Sequence, residues 1–439
     1  MNTPICDFVK KYAESDSLRL HMPGHKGKSL LGFESFDITE IDGADSLYEA
    51  EGIIKESEKN ASLLFDSPTF YSVEGSSQCI KAMLYLVCQK AEGKALIWAG
   101  RNVHKSFLSA AVLLDFETEW LYPEYDFSYL SCRIDAEYLE KELNKTEKKP
   151  DAIYVTSPDY TGNISDIRAL AEVCHRHGVM LLVDNAHGAY LKFLENSLFP
   201  IDLGADMCAS SAHKTLPVLT GGAYLHISEK LSHISESDVK TALSLFGSTS
   251  PSYLILQSLD MANKIISDDF KDKLSSFEIE MKKFKSEITE QGYTLVEDEV
   301  LKITIDAKKY GYYGYELADI LKENNMSCEF ADPDFLVLML APDSDLKKLW
   351  EVLLKIKKKE EISLPSPCIS KPRRIYSPRE ASFMQRETVP ISESLGRILA
   401  VSTVGCPPAV PIVAGGEEID ENAIRCFEYY NIKNCTVIK

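Results

Sequence analysis

The chain has 439 residues, of which 45% are hydrophobic and 26% are charged. These proportions are ordinary for globular proteins and exclude a wholly disordered or membrane-embedded chain. The 67 acidic residues outnumber the 48 basic ones, and the net charge of −19 disfavours nucleic acid or an anionic membrane as a partner, while it weakly favours a cationic small substrate.

The first region in chain order, residues 1–50, is predicted to be an irregular N-terminal arm. Glycine and proline in the segment 23–27, and the pair Asp42-Gly43, interrupt every short apolar run there. Such an arm could pack on a partner subunit.

Residues 51–290 are predicted to form a large α/β domain with a mostly parallel sheet. Short apolar runs alternate with helical patterns, which is typical of parallel strands buried on both faces. A helix predicted at 166–177 ends at Gly178 and forms a βαβ unit with the runs on either side. The predicted strands lie at 95–99, 152–155 and 179–183.

Residues 291–439 are predicted to form a smaller C-terminal α+β domain, which follows a long helical stretch at about 252–290. Its apolar pattern indicates a strand at 301–305, a helix at 315–323 and a strand at 335–339. Residues 363–390 are predicted to be an irregular connector inside this domain, because they are interrupted by Pro365, Pro367, Pro372 and Pro378.

A phosphate site is predicted at Gly75-Ser76-Ser77, which directly precedes a helical pattern. The N–H groups at the start of a helix, the positive end of the helix dipole and the hydroxyls of Ser76 and Ser77 would together attract an anion. The alternative is that a serine simply caps the helix.

Asp184 and His104 each follow a predicted strand, at the carboxyl end where open α/β sheets place their ligands. The carboxylate of Asp184 can pair with a protonated ring nitrogen, and the small Ala186 would let a flat ring approach closely. The imidazole of His104 can stack on such a ring. The alternatives are an Asp that caps the next loop and a histidine that makes an ordinary hydrogen bond.

Lys214 lies in the run Ser211-Ala212-His213-Lys214 and precedes Gly221-Gly222. A lysine beside a histidine and an electron-poor cofactor can have a lowered pKa, hold the cofactor as a Schiff base and later donate a proton. Most single lysines are solvated surface groups. The hypothesis therefore depends on the ordered combination of Lys214 with the serines, His104 and Asp184.

The ordered motifs resemble those of the ornithine/lysine/arginine decarboxylases, which have the aspartate-aminotransferase fold. The similarity extends to the arm, to the proline-punctuated connector and to the C-terminal domain, so that it covers nearly the whole chain. The chain looks like a member of the compact branch of the family, without the N-terminal wing domain of the large inducible enzymes. The motifs are Gly75-Ser76-Ser77, His104, Asp184-x-Ala186-His187, Ser211-x-His213-Lys214, His21-Met22-Pro23-Gly24-His25-Lys26-Gly27, Ser377-Pro378-Arg379-Glu380-Ala381, Pro407-Pro408-Ala409-Val410-Pro411 and Gly416-Glu417.

The resemblance implies a fold-type-I pyridoxal 5'-phosphate enzyme that decarboxylates a basic amino acid in polyamine biosynthesis. Lys214 would attach the cofactor, Asp184 would keep its pyridine nitrogen protonated, and His104 would stack on its ring. Ser76, Ser77 and Ser211 would bind the phosphate, and His213 would support the protonation changes of the lysine. Lys214, His213 and His104 are the implied catalytic residues, and the implied cofactor-binding set is Ser76, Ser77, His104, Asp184, Ala186, His187, Ser211, His213, Lys214 and Thr249.

Thr249 belongs to a segment, 248–250, that resembles the one reaching a neighbour's phosphate in this fold. A homodimer or higher homo-oligomer with active sites at the interface is therefore expected. The eleven cysteines show no CxxC pair or His/Cys metal spacing, so we expect reduced thiols and no metal. No signal peptide or apolar run of the roughly 20 residues needed to span a membrane is found, and a cytoplasmic location is expected.

Several positions depart from the family pattern, and they bear on the substrate more than on the reaction. Ala409 and Gly415 replace a common Gly and Pro, Cys406 replaces an aromatic residue, and Asn185 and Tyr190 stand where Glu and His are frequent. The substrate, lysine, arginine or ornithine, stays open. The acids that could bind its distal cationic group are Asp45, Glu329, Asp332 and Glu417.

Two other hypotheses compete with decarboxylation. The same fold and cofactor also support aminotransferases and other lyases, and the fold does not choose among them. A non-catalytic cofactor-binding or regulatory protein would instead be expected to lack Lys214 or to carry a basic DNA-binding segment.

Overall fold

The computed structural model describes residues 1–122, 129–297, 299–367, 371–401 and 409–439. These residues divide into two compact units. The first unit consists of Met1–Gly93, Asp151–Ile153 and Ile167–Lys273, and the second of Lys94–Pro150, Tyr154–Asp166 and Leu274–Lys439. None of the helices in the described ranges has the length and apolar character needed to cross a membrane.

The described helices range from one turn to 20 residues. They are α1 Pro4–Ala13, α2 Ile53–Phe65, α3 Ser76–Lys90, α4 Lys105–Leu114, α5 Ala136–Lys145, α6 Ile167–Arg176, α7 Ala212–Thr215, α8 Glu236–Ser244, α9 Tyr253–Ile265, α10 Lys271–Glu290, α11 Gly314–Glu323, α12 Leu346–Leu353, α13 Pro378–Phe383 and α14 Glu421–Tyr429. A π-helical turn, Ile266–Phe270, joins α9 to α10. Three 3-10 turns are also described, and they are Ala189–Phe193, Lys308–Tyr310 and Ile391–Glu393.

The strands form one large and two small sheets. They are β1 Thr69–Ser72, β2 Leu96–Gly100, β3 Glu117–Leu121, β4 Ala152–Thr156, β5 Met180–Asp184, β6 Met207–Ser210, β7 Ala223–Ile227, β8 Lys302–Asp306, β9 Phe330–Ala331, β10 Phe335–Met339, β11 Arg386–Pro390 and β12 Asn434–Ile438. The large sheet has seven strands in the order β1-β7-β6-β5-β4-β2-β3.

Strand direction in the large sheet changes at one end. β2 pairs with β3, and β5 with β6, in parallel, whereas β6 with β7 and β7 with β1 are antiparallel. β4 and β5 are neighbours joined through α6, which is the βαβ unit that the apolar pattern predicts. Gly178, just after α6, has a φ of 71°, the left-handed conformation that a glycine adopts at little cost.

The first unit has an aromatic cluster at one edge of its strands. Phe65 at the end of α2 packs against Phe193, Phe199, Tyr224 and His226, with ring centroids 4.6–5.5 Å apart. Such pairs contribute about 0.5–1.5 kcal/mol each beyond the area they bury. The cluster therefore fixes α2 against the strand β7.

A buried ion pair in the first unit joins α2 to α8. Lys240 Nζ lies 2.6 and 2.7 Å from the carboxylate oxygens of Glu58, and both residues are about 5% exposed or less. Lys240 also donates to the carbonyl of Leu47 at 2.8 Å, and Glu58 accepts the N–H of Tyr71 at 2.9 Å. The pair thereby connects two helices, β1 and the segment before α2.

The second unit contains the two small sheets. β8, β10 and β9 form a three-stranded antiparallel sheet, and β11 pairs with β12. α13 and β11 lie within 363–390, so part of the connector that the prolines predict is regular structure. The hydrophobic core of the second unit includes Val337, Leu399, Val413, Phe427 and Val437.

The N-terminal arm also contains more regular structure than predicted. Residues 4–13 form α1, and the carboxylate of Asp260 accepts the N–H groups of Ile5 and Cys6 at 3.0 Å. Asp260 thus binds the start of this helix, where N–H groups lack partners within the helix.

The Glu58–Lys240 pair yields a stability prediction. In the variant Lys240→Met the buried carboxylate of Glu58 loses its counter-charge, and we expect the free energy of unfolding to fall by about 3–5 kcal/mol. Urea unfolding followed by circular dichroism measures this change. The double variant Glu58→Gln with Lys240→Met should lose less than Lys240→Met alone, and an equal or larger loss would contradict the assignment.

Candidate active site

The site is built where two parallel strands of the first unit end side by side. Asp184, the last residue of β5, is opposite Ala209 in β6. The loop after β5 carries Ala186 and His187, and β6 leads through Ser211 into the short helix α7. The side chain of Asn185 donates to Ser210 Oγ at 2.9 Å and so ties the loop to the end of β6.

Lys214 lies in α7 and contacts the loop after β5. Its Nζ lies 2.9 Å from Nε2 of His187. Because a lysine ammonium only donates, Nε2 of His187 is the unprotonated ring nitrogen in this contact. The histidine against the amine is therefore His187, although His213 is the neighbour of Lys214 in the chain.

The ring of His213 contacts the backbone of Gly222. Its Nδ1 donates to the carbonyl oxygen of Gly222 at 2.9 Å. Burial, together with the positive charge of Lys214, lowers the pKa of His213 below its usual 6.5, against the opposing effect of the bond to Gly222. The neutral ring is therefore favoured near neutral pH, and His213 anchors α7 to the segment before β7.

The two predicted phosphate-binding segments meet. Ser211 Oγ donates to Ser76 Oγ at 2.8 Å. Gly75 has a φ of 72°, makes no side-chain cap for α3, and has open space where a Cβ would stand. The alternative that a serine caps α3 therefore does not hold, since Gly75 is the N-cap and Ser76 begins the helix. Ser77 is the next residue in the same turn.

Asp184 is 2% exposed and accepts the N–H of Ala186 at 3.2 Å. A buried carboxylate, a lysine amine, paired hydroxyls and a helix N-terminus thus lie around one end of β5 and β6. This donor set fits pyridoxal phosphate, which presents a ring nitrogen, an aldehyde and a phosphate dianion. The described residues contain no cluster of His, Cys, Asp and Glu arranged to hold a metal ion.

His104 and Thr249 are the remaining residues that were predicted to bind the cofactor. His104 belongs to the second unit, where it is the N-cap of α4 and its Nδ1 lies 2.7 Å from Ser106 Oγ. Thr249 is exposed in the loop after α8, in a segment where Ser250 N donates to Ser248 Oγ at 3.1 Å. The stacking role of His104 and the phosphate role of Thr249 stay predictions.

Three of the four candidate acids for the substrate are buried and bonded to structural partners. Asp45 is 8% exposed and accepts five backbone N–H groups, from Ser46, Glu51, Gly52, Ile54 and Lys55. Glu417 lies 3.0 Å from the guanidinium of Arg101 and also accepts from Trp120 and the N–H of Ala414. These two carboxylates stabilise turns.

Asp332 is also buried and accepts the N–H groups of Asp334 and Phe335 at 2.7 and 2.6 Å. Glu329 differs, because its side chain is exposed, and it accepts from Tyr160 Oη at 3.1 Å.

Three of the positions that depart from the family pattern can be described by their burial or their backbone conformation. Asn185 and Tyr190 are fully buried, and Ala409 has a φ of 65°, in the left-handed region that favours glycine. Cys406, Pro407 and Pro408 lie outside the described residues.

Comparison with known proteins gives two family matches. The family described as "Orn/Lys/Arg decarboxylase, major domain" matches residues 3–308, and "Orn/Lys/Arg decarboxylase, C-terminal domain" matches residues 367–436. An arginine decarboxylase of Halalkalibacterium halodurans is 31% identical, over 96% of this chain and 91% of that protein. An arginine decarboxylase of Bacillus subtilis is 30% identical, over 96% of this chain and 92% of that protein.

A solved structure shows the same fold. The lysine decarboxylase LdcF of Francisella novicida superposes with a TM-score of 0.78 at 19% identity, and the match covers 100% of this chain and 81% of the other. The predicted fold class, an α/β domain of the aspartate-aminotransferase type with a smaller C-terminal domain, is confirmed.

Asp332 yields a prediction on pH. Burial, and next the charge of Asp334, raise the pKa of Asp332 from 3.8 to about 7, despite the two backbone bonds. As the pH rises from about 4 to about 7, the unfolded chain has lost this proton while the folded chain retains it, so the free energy of unfolding falls. Urea unfolding at intervals across this range measures the slope.

The variant Asp332→Asn keeps the acceptor for both N–H groups and removes the titration. We expect its free energy of unfolding to depend less on pH than that of the wild type. Asp343→Asn, which changes an exposed carboxylate of the same unit, serves as the control. An unchanged pH slope in Asp332→Asn would show that Asp332 ionises normally.

Proposed function

The chain belongs to the Orn/Lys/Arg decarboxylase family, and on that premise we propose that it is a pyridoxal-phosphate enzyme that decarboxylates a basic amino acid. The observation that carries the proposal is the contact of Lys214 Nζ with His187 Nε2, beside a buried Asp184 and the paired Ser76 and Ser211 hydroxyls. Arginine is the substrate to test first, since relatives about 30% identical over nearly the whole chain are named arginine decarboxylases.

Lys214, Asp184 and the serines would hold the cofactor. Lys214 Nζ would bind its aldehyde carbon, Asp184 its ring nitrogen, and Ser76, Ser77 and Ser211 its phosphate at the positive end of α3. When bound, the cofactor supplies an electron-poor ring that accepts the electron pair left as the bond from Cα to the carboxylate breaks. A carboxylate as buried as that of Asp184 would keep the ring nitrogen protonated.

Proton transfer is assigned to Lys214 and His187. Nε2 of His187 can take a proton from Nζ and return it, because the two atoms lie within hydrogen-bond reach. His213 is held neutral, with Nδ1 committed to Gly222, and therefore orients α7. His104 is proposed to stack on the cofactor ring, as the family resemblance implies.

Lys214→Ala tests the attachment of the cofactor. We expect it to abolish CO2 release from arginine, lysine and ornithine and to remove the visible absorbance of the bound cofactor, because no other group replaces the amine. Lys230→Ala, which removes an exposed lysine of the same unit, should change neither. Retained turnover in Lys214→Ala would refute the proposal, and wild-type formation of a keto acid without CO2 would favour transamination.

Self-association is proposed from the exposed apolar residues of the arm. Leu18, Leu20, Leu30 and Leu31 are 77–83% exposed within the first 31 residues. Apolar clusters of this kind mark interaction surfaces in soluble proteins. A second copy of the chain is the proposed occupant, which agrees with the expected homodimer, and Thr249 would then act in the partner's site. A cytoplasmic location and a role in polyamine biosynthesis are part of the same proposal.

Light scattering during size-exclusion chromatography tests the association. We expect a dimer or larger for the wild type, and a shift towards monomer in the double variant Leu20→Ser with Leu30→Ser, because the interface loses apolar area. Leu63→Ser provides a matched control, since Leu63 is 75% exposed on α2, outside the arm. A monomeric wild type at micromolar concentration would refute this proposal.

A further inference from the structure

Gln78 is a buried polar residue in the first turn of α3, directly after Ser76 and Ser77. It is 1% exposed. Its amide makes three hydrogen bonds: Nε2 donates to Tyr48 Oη and to the carbonyl oxygen of Leu243, both at 2.8 Å, and Oε1 accepts from Ser72 Oγ at 2.5 Å. Both N–H donors of this buried amide are thus used, and its oxygen accepts one bond.

The orientation of this amide is determined by its partners. The carbonyl of Leu243 only accepts, so the nitrogen must face it, and the oxygen must face Ser72. The hydroxyl of Ser72 has one proton, which Oε1 of Gln78 accepts at 2.5 Å, and the carbonyl oxygen of Gly75 lies 3.0 Å from the same hydroxyl. Ser72 Oγ then accepts the N–H of Glu74 at 3.1 Å, while Gln78 N donates to the carbonyl of Gly75 at 3.2 Å. The side chain of Gln78 therefore fixes Ser72, the residue whose hydroxyl contacts both Glu74 N and the carbonyl of Gly75 in this turn.

The same amide supports the loop after α8. A Cβ on Gly247 would lie 1.9 Å from Tyr48 Oη and 2.2 Å from Gln78 Nε2, so the backbone at Gly247 packs directly on the bond between them. Gly247 immediately precedes the exposed segment 248–250. One side chain therefore joins the phosphate-binding turn to the segment around Tyr48, to the end of α8 and to this loop.

We propose that Gln78 is a positioning residue for the cofactor phosphate, an inference that rests on the proposed function. It does not contact the phosphate itself. It sets the turn through Ser72 and Gly75, so that the N-terminus of α3 and the hydroxyl of Ser76 keep the arrangement that an incoming phosphate requires. Tyr48 contributes by accepting from the amide, and loss of its hydroxyl has a smaller effect because the bond to Leu243 is retained.

Gln78 acts on the binding of one part of the cofactor only, its phosphate. Pyridoxal carries the same aldehyde and ring nitrogen as pyridoxal phosphate but has no phosphate. A defect in the turn weakens binding of pyridoxal phosphate and leaves binding of pyridoxal unchanged. General damage to the site, in contrast, weakens both. The ratio of the two dissociation constants thus separates positioning from a merely structural role.

The experiment titrates the apoenzyme with each compound and follows the change in absorbance. In Gln78→Met, we expect the affinity for pyridoxal phosphate to fall about tenfold, which corresponds to the usual cost of leaving buried polar groups without partners. The affinity for pyridoxal should stay within about twofold of wild type. Tyr48→Phe should lower the affinity for pyridoxal phosphate in the same direction by a smaller factor, and it carries the test if Gln78→Met does not fold.

Asn263→Leu is the matched control. Asn263 is another fully buried amide of the first unit, and its side chain donates to the carbonyl of Ser57 and to Tyr71 Oη. It should leave the ratio of the two dissociation constants at the wild-type value. Equal losses for both compounds in Gln78→Met, or no loss for either, overturn the assignment of Gln78. A wild-type apoenzyme that binds neither compound overturns the proposed function and this inference with it.

Discussion

Parallel pairing of β5 with β6 is the interaction on which the candidate site depends. Its register sets Asp184 beside Ala209, so the loop that carries His187 starts level with the residues that lead into α7. The amine of Lys214 reaches the imidazole of His187 because both segments begin at the same edge. A slip of one residue would turn the side chain of Asp184 to the other face of the sheet.

Two helices begin at this edge of the sheet and contribute to the candidate phosphate site. α3 begins at Ser76 without a side-chain cap, and Ser211, the N-cap residue of α7, donates its hydroxyl to that of Ser76. Each terminus presents N–H groups and the positive end of a dipole. An anion bound between two such serines is attracted by the backbone as well as by side chains, so few positive charges are needed in a strongly acidic protein.

Much of the fold could be predicted because its signals are local. The strands at 152–155 and 179–183, the helix between them and the helix at 315–323 were predictable from apolar periodicity, and their observed bounds differ by only one residue or two. The elements found inside the arm and the connector could not be recognised in this way. α1 depends on Asp260, more than 250 residues away, and α13 is a short helix between prolines.

The site divides in a similar manner. Lys214, Asp184 and the serines follow strand ends and glycine-rich turns, which can be read in a sequence. The identity of the histidine beside the amine could not, because it depends on which way His213 and His187 turn in space. The role of Gln78 was equally hidden, since a glutamine in a helix gives no sign of burial. Asp45 and Glu417 looked like substrate ligands for the same reason. The partners of Asp45 are backbone groups, and those of Glu417 include Arg101 and Trp120, about 300 residues away in the chain, so neither set leaves a mark in the sequence.

The buried pair of Glu58 and Lys240 has a consequence for the evolution of the family. The two positions are 182 residues apart in the chain, yet a charge at one is tolerable only while its opposite is present at the other. Lineages that lose one member pass through a poorly folded intermediate, so the two positions are expected to change together or not at all. Covariation between α2 and α8 would therefore record a contact that stabilises the fold.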